Sequence, residues 1–287
     1  MLAAHSDNNS PNIEMLKEKA RKLRALCIWM AHHGKESHLN GALSCMDILL
    51  ALYYGWLRVD PENPRDPDRD RFIFSKGHAC TALYAVLAER GYFPGEWLYK
   101  YARNNSPLPS HPCVHMLPAL DWSSGSLGHG LGIATGMAYA LRLDRRTARA
   151  VVLLSDGECN EGSTWEAAMF AATHKLDNLL AVVDFNGVQS IAHTREIVGE
   201  TKFEDKFRSF GWSVQAVDGL DPQALLARLK EVPFKTGKPS VIIAHTRAGA
   251  GVSFMEDQVL WHYRTPSEDD LIKAFAELGQ KLPEKES

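Results

Sequence analysis

Ala150-Val-Val-Leu-Leu154 runs directly into Ser155-Asp156-Gly157-Glu158, and Leu179-Leu-Ala-Val-Val183 runs into Asp184-Phe-Asn186-Gly187. Both are short apolar runs rich in β-branched residues that end in polar residues and a glycine, and the stretch between them, Glu161–Leu176, reads as helix. A strand, a helix and a second strand in that order make a βαβ unit. Ser213-Val-Gln-Ala-Val217 and Ser240-Val-Ile-Ile-Ala244 repeat the pattern around a helix at Pro222–Lys230, and upstream Arg71-Phe-Ile-Phe-Ser75 reads as one more short strand. Strands that are apolar along their length are buried on both sides. The expected fold is therefore α/β, a doubly wound, mostly parallel sheet with helices on both faces.

Outward from this core, Ile13, Leu16, Ala20, Leu23, Cys27 and Met30 follow three-and-four spacing, which predicts a helix starting at Asn12 with one buried face. Ser44-Cys-Met-Asp47 fits a capping box opening a second helix. His78–Arg90 reads as a helix stopped by Gly91, and Ser267–Leu282 as a last amphipathic one. The charged, proline-bearing run Asp60–Asp70 is a surface loop, and 103–130, rich in Pro, Ser, Gly and His, is a loop long enough to suggest a functional role. Residues 1–11 read as a flexible leader, 12–266 as one domain, and 267–287 as a terminal helix and tail.

Among 287 residues, 45% are apolar and 23% charged, an ordinary globular composition. The 32 basic and 35 acidic residues are interspersed, so no basic patch favours nucleic acid. The most apolar stretch, Ala42–Leu57, is too short for a bilayer and carries Asp47. The first residues lack a basic segment followed by an apolar one, so no signal peptide is expected. Five cysteines without C-x-x-C spacing suggest reduced thiols and a cytoplasmic protein.

Ligands of open parallel sheets bind at the carboxyl ends of the strands. If the strands ending at Leu154 and Val183 are neighbours, Asp156 and Asn186 stand close enough to share a cation. One carboxylate and one amide oxygen suit Mg²⁺ completed by water and ligand phosphate. Equally, Asp156 could cap the following helix and Asn186 could form a turn with Gly187. The cluster Gly125-Ser-Leu-Gly128-His-Gly130-Leu-Gly132 leads into a helix, as at anion sites, but Asp121-Trp-Ser-Ser rather than an apolar strand precedes it, which excludes a dinucleotide fingerprint. His38, His78, His111 and His115 lie in or beside turns of small residues, and no H-E-x-x-H zinc motif or G-x-S-x-G nucleophile elbow occurs.

Taken together, Ser155-Asp156-Gly157-Glu158 and the later Asn186 resemble the motif by which thiamine-diphosphate enzymes hold a metal and the cofactor diphosphate. Ser75-Lys-Gly-His-Ala79, Ser124-Gly-Ser-Leu-Gly-His-Gly130, Asn160-Glu-Gly-Ser-Thr-Trp-Glu166 and Gly251-Val-Ser-Phe-Met-Glu256 narrow the likeness to transketolase, and specifically to the N-terminal, diphosphate-binding subunit of a split transketolase. The resemblance runs from the first helix to His262. It implies Mg²⁺ (or Ca²⁺) on Asp156, the Asn186 side chain and the Val188 carbonyl, and thiamine diphosphate contacting Gly125, Ser126, Leu127, Asp156, Gly157, Glu158 and Asn186. His38, His78, His111 and His262 would line the substrate channel and handle protons, and Glu161 would join a network between paired active sites. The implied reaction moves a two-carbon ketol unit from a ketose to an aldose through the cofactor's carbanion.

It also implies a partner. The chain holds one set of motifs, so the pyrimidine-binding domain is expected on a separate C-terminal transketolase subunit, in a heterotetramer acting on a sugar or sugar phosphate. The glycine cluster and the helix from Ser44 are the candidate contact surfaces. The sequence departs from the family pattern at Ser155, at His129, at Ser190-Ile-Ala-His-Thr194 and at Trp261-His-Tyr263, the last two near the cofactor or substrate side. The alternatives are a carboligase using a 2-oxo acid donor and a non-catalytic subunit. Retention of both Asp156 and Asn186 argues against the non-catalytic one.

Overall fold

Five strands, β1 (Arg71–Phe74), β2 (Ala150–Ser155), β3 (Leu179–Phe185), β4 (Ser213–Asp218) and β5 (Ser240–His245), form one sheet in the order β1-β2-β3-β5-β4, every pair parallel. The computed structural model describes residues 11–283, so all but the last residue of the expected leader, and the end of the tail, lie outside the described residues. β2 and β3 are neighbours, with Ser155 opposite Asp184, as a shared cation between them requires.

Alternation along the strands splits the core into two layers. Val151, Leu153, Leu180, Val182 and Ile242 face the helices Ile13–Gly34, Met46–Gly55, Cys80–Glu89 and Pro222–Lys230. Ala150, Val152, Leu154, Ala181, Val183, Val241 and Ile243 face Gly130–Leu143, Gly162–Thr173 and Phe203–Ser209. Covering both faces buries β2 completely, whereas the edge strand β4 is only partly covered. The expected doubly wound α/β sheet is what forms. The last helix, Glu268–Glu277, opens with a Ser267/Asp270 capping box, ends earlier than its pattern suggested, and buries Leu271, Ala274 and Phe275 in the same core as the first helix.

The helix expected to open at Ser44 does not begin there. A short helix, Leu39–Ser44, breaks at Cys45 and resumes as Met46–Gly55, with no side-chain cap. Asp47, expected as half of a capping box, instead pairs with Arg24 inside the protein. Met46 to Tyr53 are all buried, so this segment is core rather than a contact surface. All five cysteines are free thiols. Among the described residues no helix is long and apolar enough to cross a membrane.

Candidate active site

Four of the five strands end in polar residues that converge at one rim of the sheet: Ser75 and Lys76 after β1, Asp156 after β2, Asp184 and Asn186 on and after β3, and Thr246 after β5. Asp156 is 1% exposed. Its carboxylate accepts hydrogen bonds from the Gly157 amide (2.9 Å), the Gly187 amide (3.2 Å) and the Thr194 hydroxyl (2.7 Å). Burial pushes its pKa up to about 6, and among the described residues no basic side chain pairs with it. The Asn186 carboxamide accepts from the Val188 amide (3.0 Å) and donates to the Ser44 hydroxyl (3.1 Å). The cap at Asp156 and the Asn186–Gly187 turn thus both exist, with Gly187 at φ +75°, and they coexist with the proximity a shared cation requires.

Among the described residues no group of three or more His, Cys, Asp or Glu side chains could hold a metal alone. A buried carboxylate with no salt bridge of its own among the described residues, close to the Asn186–Gly187 turn, instead suits a hard cation that takes its remaining ligands from phosphate. The residues present therefore fit Mg²⁺ bound together with a diphosphate.

The glycine loop seats itself on β1. A Cβ on Gly130 would stand 2.0 Å from the Ser75 hydroxyl, and one on Gly128, at φ +83°, would stand 2.6 Å from the Glu161 Cβ, so neither position admits a side chain. Gly125 and Ser126 are exposed and Leu127 is half-buried. A cleft of about 410 Å³, within the usual range for small-molecule sites, is lined by Ser75, Trp122, Ser126, His129 and Gly130. The buried Ser124 hydroxyl beside it has no hydrogen-bond partner. Glu158, expected among the cofactor contacts, is fully buried. One carboxylate oxygen accepts from both the Ser75 hydroxyl and the Gly128 amide (2.9 Å), which pins the glycine loop to the sheet, while the other is buried without a hydrogen-bond partner. Its own amide donates to Ser155 (3.2 Å). Glu161 is exposed at the start of the helix Gly162–Thr173. Gly157 lies against Gln189, whose Cγ would be 3.3 Å from an added Cβ.

Three of the expected histidines meet. The ring centroids of His38, His78 and His262 are 5.5, 5.2 and 5.6 Å apart pairwise, and the His38 amide donates to the His262 carbonyl (3.0 Å). His111 is exposed at the rim, its ring 3.5 Å from where a Gly125 Cβ would stand. His115 and His129 are also exposed, and no ring contact joins either to the triad. A hydrogen bond from Ser110 to Glu36 (2.7 Å) ties the His111 loop to the His38 loop.

Burial holds the pKa of all three triad histidines down, aided by His111 at His38 and by Lys76 at His78; His262, also facing His38 and Lys76, is pushed down to about 4. The triad is therefore neutral at pH 7, each ring presenting one donor and one acceptor nitrogen. The unfolded chain binds these protons first, so the stability the neutral triad contributes is intact above pH 6.5 and lost as pH falls toward 4. Thermal unfolding is expected to drop between pH 7 and pH 5, with a shallower drop in His262→Gln. A wild-type melting temperature flat across that window would contradict the assignment.

Sequence reasoning missed Lys76 and Asp184, a fully buried ion pair at the same rim. The available signal was Asp184 itself, a charge in an otherwise apolar strand, which demands a buried partner.

The chain matches the family described as "Transketolase, thiamine diphosphate binding domain" over residues 15–285. It is 39% identical over 266 residues to the 6-deoxy-6-sulfo-D-fructose transketolase subunit SqwG of Clostridium sp., covering 93% of this chain and 97% of that protein. It is 38% identical over 264 residues to one of the apulose-4-phosphate transketolase subunits of Actinobacillus succinogenes, covering 92% and 95%. The transketolase structure from Campylobacter jejuni superposes with a TM-score of 0.86 at 30% identity, over 94% of this chain but only 43% of that one. On a family match spanning nearly its whole length, the chain belongs to the transketolase family and corresponds to its thiamine-diphosphate-binding domain.

Proposed function

We propose that this chain is the diphosphate-binding subunit of a two-chain transketolase, transferring a two-carbon ketol unit from a ketose to an aldose in the cytoplasm. The observation that carries the reaction is the neutral triad of His38, His78 and His262 standing beside the strand ends that hold Asp156 and Asn186. Gly41 joins the two regions, since a Cβ there would lie 3.3 Å from the Lys76 ammonium and 3.4 Å from the His78 ring.

When bound, thiamine diphosphate supplies the electron sink that lets a carbon–carbon bond next to a carbonyl break and re-form. Asp156, the Asn186 side chain and the Val188 carbonyl would hold Mg²⁺ (or Ca²⁺) against the diphosphate, and Gly157 keeps the backbone there free of a side chain. Gly125, Ser126 and Leu127 would meet the aminopyrimidine end. His38, His78 and His262 take protons from, and return them to, the substrate's hydroxyl and carbonyl oxygens, which neutral imidazoles at pH 7 can do in either direction. His111 would contact the sugar at the rim, and Glu161 would face the partner subunit in the network linking paired sites.

The near end-to-end match to proteins named as transketolase subunits, set against a solved transketolase chain more than twice as long, supports a separate chain carrying the pyrimidine-binding domain, with two copies of each chain in the assembly. Those relatives' names point to sugar phosphates and sulfonated sugars as the substrate class. The test is turnover of a ketose phosphate with an aldose, with Mg²⁺ and thiamine diphosphate, by the purified chain and then with a co-expressed candidate partner. Turnover is expected only with the partner. Full activity of the isolated chain would overturn the two-chain reading, and CO₂ release from pyruvate in place of ketose cleavage would move the enzyme to a 2-oxo acid donor.

A further inference from the structure

The Lys76–Asp184 pair lies directly behind the residue proposed to ligate the metal, and its hydrogen bonds run in one direction. Both side chains are fully buried. One Asp184 oxygen accepts from the Lys76 ammonium and from the Ser44 hydroxyl (2.6 Å), and the other accepts from the Thr246 hydroxyl. An ionised carboxylate offers only acceptors. Ser44 has one proton to give. Asp184, charged and at 2.6 Å, takes it in preference to the Gly41 carbonyl at 3.2 Å. The Ser44 oxygen is then left with lone pairs facing Asn186 at 3.1 Å, so the carboxamide must present its NH₂ end there. At its other end the Val188 amide, 3.0 Å away, can only donate and demands the carbonyl oxygen.

We infer that Ser44 and Asp184, backed by Lys76 and Thr246, are positioning residues that lock the Asn186 carboxamide in the one orientation that turns its oxygen toward the cation. A flipped amide would set NH₂ against the Val188 amide and its carbonyl oxygen against the Ser44 lone pairs, two mismatches at once. The ion pair is what makes the lock directional. Held by the Lys76 ammonium, the Asp184 carboxylate keeps the Ser44 proton pointed away from Asn186. Four chain segments thus set one amide: the end of β1, the short helix Leu39–Ser44, β3, and the residue after β5. This also accounts for the failed cap at Ser44, whose hydroxyl is engaged by Asp184.

The inference rests on Asn186 being a metal ligand, so the experiment measures metal rather than turnover. Mg²⁺ is titrated calorimetrically into the full-length chain at saturating thiamine diphosphate, for wild type, Ser44→Ala and Asp156→Ala, with melting temperatures recorded without metal. Ser44→Ala is expected to weaken Mg²⁺ by about 10-fold, the lower end of what loss of an outer-sphere partner does, while its metal-free melting temperature stays close to wild type. Ser44→Cys, of nearly the same volume but with a thiol that hydrogen-bonds weakly, gives the same reading where Ser44→Ala does not fold. Wild-type Mg²⁺ affinity in Ser44→Ala, alongside loss of binding in Asp156→Ala, would overturn the positioning role and leave the metal site standing. Unchanged affinity in both variants would overturn the metal site itself.

Discussion

Asp156→Ala is expected to abolish Mg²⁺-dependent binding of thiamine diphosphate, lowering affinity by more than about 100-fold, beyond the 10- to 100-fold range for outer-sphere partners. Two effects act together. The cation would lose the one carboxylate proposed to ligate it, and an unneutralised diphosphate would then sit at a rim where Asp184 and Glu158 are already buried. In addition, the Gly157 and Gly187 amides and the Thr194 hydroxyl lose a shared acceptor, which loosens the turn carrying Asn186, the second proposed ligand. Asp156→Asn separates the two. It keeps an oxygen for Thr194 and Gly187 but carries no charge, so its Mg²⁺ affinity is also expected to fall steeply while its fold is kept. Calorimetric titration of cofactor with and without Mg²⁺ reads both variants, and wild-type affinity in Asp156→Asn would sink the metal assignment.

Much of this site was legible because the chemistry needs residue types that look out of place. Asp156 and Asn186 stand out because apolar, β-branched runs end in them, and the parallel sheet then obliges those ends to share a rim. The strands themselves were readable from burial on both faces, which leaves no alternation to disguise them. Strand order was not. Nothing local tells β5 to insert between β3 and β4, a choice made by how the helices Phe203–Ser209 and Pro222–Lys230 pack on opposite faces. Ser44 misleads for a related reason. A Ser with an Asp three residues on is a sound local signal for a helix start, but Arg24 claims Asp47 from 23 positions away and Asp184 claims Ser44 from 140. Glu158 has a further part that its place beside Asp156 does not disclose, since one of its carboxylate oxygens is engaged by Ser75 and Gly128, 83 and 30 positions away.

Within the histidine triad, replacing His78 by Ala is expected to lower turnover of the assembled enzyme by about 10²-fold, the usual scale for a positioned general acid or base, with thiamine-diphosphate affinity unchanged. His78 follows the end of β1 by four residues. It shares the space over Gly41 with the Lys76 ammonium, whose charge, after burial, is the next largest cause holding its pKa well below the ordinary range. A ring kept neutral by fixed surroundings can accept a proton transiently only where substrate brings it, which suits a shuttle rather than a permanent cation. His262→Ala should act similarly, because its ring faces both His38 and His78. The double variant should cost much less than the product of the singles, since the three rings contact one another and share one cluster. His111, exposed and outside the triad, should affect KM more than kcat. Steady-state kinetics of the four variants, with the melting temperature of each, decide the matter. A His78→Ala enzyme that turns over normally but melts several degrees lower would show that the ring packs the wall of the channel and moves no proton.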